Sequence, residues 1–230
     1  MHIPILRHAM LIAGFYLVLV MGCFAQSTFT SGIINFDFYS PGFSPVYGPG
    51  AGAIGSSGDI WNGYNADDVG NLNHLKNNTG IATSVDFDST EFSFFSAGAP
   101  YGTYGELFDT FQGYDEPDHY DVITGLDPDM TYNLVLYLPQ EGTYTVNGTN
   151  FTQDVYPTVP YNELVEGAGY VENEVTADAS GDLTFVSTDG EATLSAWQLE
   201  VIPEPSPCSL LILGILAMTF LYRFNPLLLR

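Results

Sequence analysis

The chain has 230 residues and carries 27 Asp and Glu against four Lys and Arg, for a formal net charge of −23. So acidic a chain argues against nucleic acid as a partner, because phosphate binding needs clustered Lys and Arg. Its two cysteines, Cys23 and Cys208, lie in hydrophobic end segments, so the stretch between them holds no disulfide, thiol nucleophile or Cys-ligated zinc.

From the N-terminus, Arg7 and His8 precede an almost uninterrupted apolar run from Ala9 to Met21, with small residues around Cys23-Phe24-Ala25. This order predicts a signal helix removed between Ala25 and Gln26, making residues 1–25 a signal peptide. The run is short against the roughly 20 residues a bilayer crossing needs. Retention as an uncleaved anchor and acylation of Cys23 in a lipoprotein box are the alternatives, and Met21 fits that box poorly.

Residues 26–202 have the size of one domain with its own core. Clusters of Gly, Asn, Asp, Ser and Pro punctuate this body, and runs of period two lie between them. Ile34, Phe36 and Phe38 alternate with Asn35 and Asp37. Further strands are predicted at 81–87, 91–95, 120–124, 131–138, 143–146, 170–176, 183–187 and 193–201. Asn147-Gly148 suits a type I′ hairpin, Asp127-Pro128-Asp129 a turn opened by a fixed proline φ, and Ser180-Gly181-Asp182 and Asp189-Gly190 similar reversals. About nine strands joined in this way predict an all-β antiparallel sandwich. Leu107, Phe108 and Phe111 share one face of a predicted short helix over 104–112, which would plug one end. The glycine-rich segment 41–58 has no period and few large residues, and reads as a long surface loop.

Three segments share their pattern with a known fold. Gly58-Asp59-Ile60-Trp61-Asn62 comes near the front, and Ile123-Thr124-Gly125-Leu126-Asp127-Pro128 precedes the run from Thr131 to Tyr137. Leu194-Ser195-Ala196-Trp197-Gln198-Leu199 closes the body. This order resembles the galactose-binding-like jelly roll, a resemblance that implies a sandwich fold and leaves the ligand open.

Catalytic constellations are sparse. Gly55-Ser56-Ser57-Gly58 lacks the spacing of a nucleophile elbow. His74 and His119, the two histidines of the body, fall in polar loops and read as solvated. Asp67-Asp68, Asp86-x-Asp88, Asp115-Glu116-x-Asp118 and Asp127-x-Asp129 read as turn carboxylates. A polysaccharide-acting enzyme would need one such pair to split its pKa values. No cofactor is expected. A structural Ca²⁺ held by one turn is the metal these ligands would suit, though no EF-hand spacing occurs and the metal site stays open. Trp61 and Tyr64, flanked by Asn62, Gly63 and Asn65, are the candidate sugar contacts, weighed against a Trp that closes the end of the core. Trp197, in an alternating strand, reads as core.

At the C-terminus, Pro203-Glu204-Pro205 and Pro207 form a stiff linker, because each proline fixes φ and lacks an amide donor. A charge-free apolar stretch over 208–222 follows and predicts a transmembrane helix, closed by Arg223 on the cytoplasmic side. This tail, residues 203–230, resembles the PEP-CTERM sorting signal of Gram-negative bacteria on the strength of Pro203, Glu204, Pro205 and Arg223. It departs in lacking a terminal arginine cluster. An ordinary single-pass tail anchor is the alternative. The resemblance implies processing by a membrane-embedded exosortase. The sequence-level expectation is therefore an exported, membrane-tethered precursor that becomes a non-catalytic cell-surface or matrix protein. Binding of an exopolysaccharide is the alternative role of the body.

Overall fold

The computed structural model describes residues 29, 31–40, 46–48, 50–65, 70–89, 94–96, 104–108, 110–113, 120–155, 162–187 and 193–203. The signal helix, its cleavage site at Ala25 and Gln26, Glu204 and Pro205 of the sorting motif, the apolar tail with Arg223, His119 and the acidic pairs at 67–68 and 115–118 lie outside them. The segment from Thr28 to Ile202 forms one compact unit.

Within that unit the alternating runs become strands of two facing sheets. The first sheet contains β1 (Ile33–Tyr39), β2 (Asn62–Asn65), β8 (Thr131–Tyr137), β11 (Tyr170–Thr176) and β14 (Ala196–Val201), in the order β11-β8-β14-β1-β2. The second contains β3 (Gly70–Leu72), β4 (Asp86–Ser89), β7 (Asp121–Thr124), β9 (Gly142–Val146), β10 (Thr149–Gln153) and β12 (Leu183–Ser187), in the order β10-β9-β12-β7-β4-β3. A small third sheet joins β5 (Phe94–Ser96), β6 (Thr110–Gly113) and β13 (Thr193–Leu194).

The period-two pattern works because successive side chains leave a strand on opposite faces. Phe36 of β1, Trp197 of β14, Leu136 of β8 and Val171 of β11 stand in one cross-strand row, and all four belong to the main core. Phe36 stacks on Trp197 at 4.7 Å between ring centroids with planes 9° apart, and meets Phe87 of the facing sheet at 4.3 Å. Each such ring contributes about 1.5–3 kcal/mol of burial, so this aromatic cluster anchors one sheet on the other. Trp197 is fully buried, as its alternating strand predicts.

The hairpin at Asn147-Gly148 forms as expected, with φ of +46° and +86° at the two turn residues and β9 paired to β10. The Asp127 turn also forms, closed by the Met130 amide on the Asp127 carbonyl at 3.3 Å. Two expectations are corrected. The stretch predicted as a helix over 104–112 is a 3-10 turn, Gly105–Phe108, followed by strand β6. The apolar run was too short for its period to separate helix from strand. The sandwich is also not wholly antiparallel, since β1 and β2 run side by side in the same direction.

That parallel pair decides where the glycine-rich segment goes. Parallel neighbours need a long crossover, and the described residues between β1 and β2 lie against the outer face of the first sheet. β1 is consequently buried on both faces: Ile34, Phe36 and Phe38 face the main core, and Asn35 and Asp37, at 0% and 1% exposure, lie beneath the crossover. The described part of 41–58 is a loop at the surface, as expected, with residues 55–58 exposed and 50–54 half-buried; its Tyr47 is buried against the sheet beneath. Tyr47 and Trp61 join Leu107, Phe108, Val135, Tyr137 and Ala196 in a second apolar cluster on this outer face.

Candidate functional site

Hydrogen bonds from sheet side chains to crossover backbone hold the outer layer in place. The Tyr137 hydroxyl accepts the Ala53 amide at 2.5 Å and donates to Gln198 Oε1 at 2.5 Å. Gln198 Nε2 donates to Asn35 Oδ1 at 2.6 Å and to the Ile54 carbonyl at 2.9 Å. Asp37 accepts the Tyr47 amide at 2.8 Å, and Trp61 Nε1 donates to the Gly50 carbonyl at 2.9 Å. A Cβ on Gly52 would collide with Gln198 Oε1 and the Tyr137 hydroxyl, so glycine there is a requirement of close approach. Burial raises the Tyr47 hydroxyl to about 12, helped by Tyr104, Glu106 and Asp37 nearby, and burial likewise pushes Tyr137 upward.

The two sequence-predicted sugar contacts are both buried, Trp61 at 8% and Tyr64 at 4% exposure. Trp61 meets Tyr47 edge-on at 5.0 Å and Tyr137 at 6.2 Å, so its ring packs the outer layer. It belongs to the second apolar cluster. Tyr64 sends its ring into the main core against Phe36, Phe38 and Phe87. Only its hydroxyl reaches outward, where it donates to the Gly70 carbonyl at 3.0 Å and accepts the Gly70 amide at 3.1 Å. Tyr64 therefore fastens the edge strand of one sheet to the edge strand of the other.

Between those edges lies a cleft of about 260 Å³ lined by Tyr39, Gly63, Tyr64 and Asn65 on the first sheet's side, and by Gly70, Asn71 and Leu72 on the second's. Tyr39 is half-buried and Asn71 exposed. A Cβ on Gly63 would touch the Tyr39 ring and strike Val46, so the bare glycine lets the tyrosine lie flat along β2. Asn71 stands opposite Asp88 in the β3–β4 register. With its amide oriented to donate, Asn71 Nδ2 reaches the two Asp88 carboxylate oxygens at 2.5 and 3.1 Å. The cleft thus offers one aromatic ring, two carboxamides, a tyrosine hydroxyl and a leucine among its described residues. Sequence reasoning reached Tyr64 and missed Tyr39, Asn65 and Asn71, which only the meeting of two sheet edges brings together.

The remaining candidates sit apart. His74 is exposed beside Asp86, with Nδ1 3.7 Å from Oδ1, and its amide donates to the same oxygen at 2.6 Å. Among the described residues no three His, Cys, Asp or Glu side chains are grouped to hold a metal ion.

The class defined by these elements is an all-β sandwich of two sheets. No protein-family model matches the chain, and no curated protein matches it. Among solved structures it is similar to protein YxiM of Bacillus subtilis, at 17% identity over 75% of this chain and 41% of that one, with a TM-score of 0.40. It is also similar to the C-terminal CBM6 of LamC, a marine laminarinase from Zobellia galactanivorans, at 12% identity over 48% and 93% of the two chains, with a TM-score of 0.27. An exo-β-1,3-galactanase from Phanerochaete chrysosporium aligns at 17% identity over 46% and 25%, with a TM-score of 0.27. The chain spans less than half the length of the first of these, and likenesses of this degree assign neither ligand nor activity.

Proposed function

We propose that this chain is an exported cell-surface or matrix protein whose β-sandwich binds carbohydrate, without catalysing a reaction, in the cleft between β2 and β3. The observation that carries the binding reading is that cleft. A half-buried aromatic ring beside two carboxamides pairs an apolar face with hydrogen-bonding groups, the combination a small polar ring requires. Its volume lies just under the roughly 300–1,000 Å³ of sites that take drug-sized ligands, a size suited to about one sugar ring. Delivery rests on the sequence: the signal peptide carries the chain across the inner membrane, and the tail holds the precursor there until an exosortase acts near Pro203-Glu204-Pro205. An exopolysaccharide at the cell surface is the partner this location supplies.

Two experiments test the reading. Glycan-array binding by the full chain should be lost in Tyr39→Ala and kept in a distant surface variant such as Val186→Ser; an array without signal rejects carbohydrate binding. Mass spectrometry of both mature termini should show a start at Gln26 and a shortened C-terminus, and deletion of Pro203 to Pro205 should abolish that shortening. Unchanged maturation after the deletion rejects the sorting role.

The enzymatic alternative rests on Asp86 and Asp88, which share one face of β4. Each carboxylate already accepts local donors, from the His74 amide and from Asn71 respectively, which suits a positioning role and puts this reading second. Hydrolysis of any glycan that is lost in Asp86→Asn or Asp88→Asn would promote it.

A further inference from the structure

We propose that the two Asn-Gly sequences of the chain, Asn62-Gly63 and Asn147-Gly148, are latent deamidation sites that the fold keeps shut, and that opening of the sandwich lets them react irreversibly. The reactivity is intrinsic to the pair. Glycine leaves its amide nitrogen unshielded, and that nitrogen, once deprotonated, attacks Cγ of the preceding asparagine. The bond from Cγ to Nδ2 breaks, ammonia leaves with the proton, and one water opens the resulting succinimide to aspartate or isoaspartate. Both glycines are required by the backbone. Gly148 has φ of +86° in the hairpin turn, and a Cβ on Gly63 would strike Val46 and touch the Tyr39 ring. The fold therefore demands a reactive pair at two points and has to restrain it there.

Both asparagines are restrained in the same way. Asn62 Nδ2 donates to the carbonyls of Asn35 at 2.8 Å and Lys76 at 2.7 Å, and its Oδ1 accepts the Lys76 amide at 2.8 Å. Asn147 Nδ2 donates to the carbonyls of Thr176 and Asp182, and its Oδ1 accepts the Thr184 amide. All of these partners are backbone groups 14 to 37 positions away, so either carboxamide turns toward its glycine only when tertiary structure gives way. At Asn147 the main chain adds a second restraint. Ring closure needs the Gly148 nitrogen eclipsed with Cβ about the Cα–C bond. With φ of +46° Asn147 occupies the left-handed region, where ψ of roughly +30 to +60° sets that nitrogen nearly opposite Cβ.

Exposure sets an order. Asn147 and Gly148 are exposed at a hairpin tip, whereas Asn62 is buried, and local opening costs less than global unfolding. Asn147 therefore reacts first. Isoaspartate at 147 adds a methylene to the main chain of a two-residue turn and upsets the register that pairs Tyr144 with Phe151, both fully buried. Aspartate at 62 aims a carboxylate at the Asn35 and Lys76 carbonyls and loosens β2 from β1. A chain converted while open cannot close as it was.

The test is peptide mapping by mass spectrometry of the full chain, held in detergent, during incubation in mildly alkaline buffer with and without denaturing urea. Each asparagine should convert more than about tenfold more slowly in the folded protein than in urea, with the larger protection at Asn62. After the urea is diluted out, chains carrying isoaspartate at 147 should be depleted from the folded fraction, while chains unfolded only briefly refold. Conversion in the folded protein at the rates seen in urea overturns the restraint. Protection at Asn147 equal to or above that at Asn62 overturns the order of reaction, and full refolding of isoaspartate-bearing chains overturns the irreversibility.

Discussion

The Tyr137 hydroxyl donates to Gln198 Oε1 and accepts the amide of Ala53, both at 2.5 Å, so one phenol on β8 ties the crossover to a neighbouring strand, β14. Gln198 continues the chain of bonds to Asn35 on β1. Buried polar groups of this kind stabilise only while every member keeps its partner.

Tyr137→Phe keeps the ring in place and removes the hydroxyl, leaving the Ala53 amide without its acceptor. A buried donor deprived in this way costs about 1–3 kcal/mol. Urea denaturation of the full chain should show that loss with an unchanged m-value.

Gly52→Ala should disturb the same layer from the other side. The added methyl meets Gln198 Oε1 and the Tyr137 hydroxyl, and overpacking of this kind costs about 1–3 kcal/mol. Limited proteolysis should show faster cutting within residues 50–58 in this variant, while the hairpin at Asn147-Gly148 stays resistant.

Alkaline titration gives a third expectation. Tyr47, raised to about 12 by burial and then by Tyr104, Glu106 and Asp37, ionises less readily folded than unfolded, where a tyrosine titrates near 10. Its neutral form therefore contributes stability that is fully present below about pH 10 and is lost as pH rises through about 12. The buried Tyr137 shifts in the same direction. Ionising Tyr47 also removes its donation to the Ala51 carbonyl, which is 3.1 Å long. The difference in tyrosinate absorbance between the native chain and Tyr47→Phe should thus rise late and cooperatively with unfolding; a difference centred near pH 10 in a still-folded protein would contradict the packing of the crossover.

Asn147 makes the fourth case. Its Oδ1 accepts the Thr184 amide at 2.9 Å, and its Nδ2 donates to the carbonyls of Thr176 at 3.0 Å and Asp182 at 2.8 Å. Asn147→Asp would aim a carboxylate at two carbonyl oxygens, close to Asp182, whose own carboxyl is held above its usual range by burial and by Asp178. At neutral pH the variant should lose about 0.5–1.5 kcal/mol, and part of that should return in acid as the introduced carboxyl takes up a proton. Thermal melts at pH 4 and pH 7 measure the difference.

These residues also mark how far the sequence could be read. The long strands were legible because their apolar side chains recur with period two toward the main core: β1, β8, β11 and β14 follow Phe36, Leu134, Val171 and Trp197. The hairpin followed from Asn-Gly, whose backbone preference is local. The anchoring of the crossover was illegible because it depends on partners far along the chain: Ala53 meets Tyr137 across 84 positions and Ile54 meets Gln198 across 144. With few large side chains of its own, that segment carried no periodic signal. Trp61 looked available for the same reason, its neighbours being polar in sequence and Tyr47 and Tyr137 in space. The cleft depends on β2 and β3, two short edge strands without alternation, held together by the Tyr64 hydroxyl on Gly70.

The most direct measurement of the central claim is an amide-resolved NMR titration of the isotopically labelled protein with a neutral oligosaccharide. Shifts should concentrate at the Gly63, Asn65 and Gly70 amides and the Asn65 and Asn71 side chains, with the Trp61 indole unmoved. Shifts clustered instead on the crossover over Tyr137 and Gln198, or none anywhere up to saturating sugar, would contradict it.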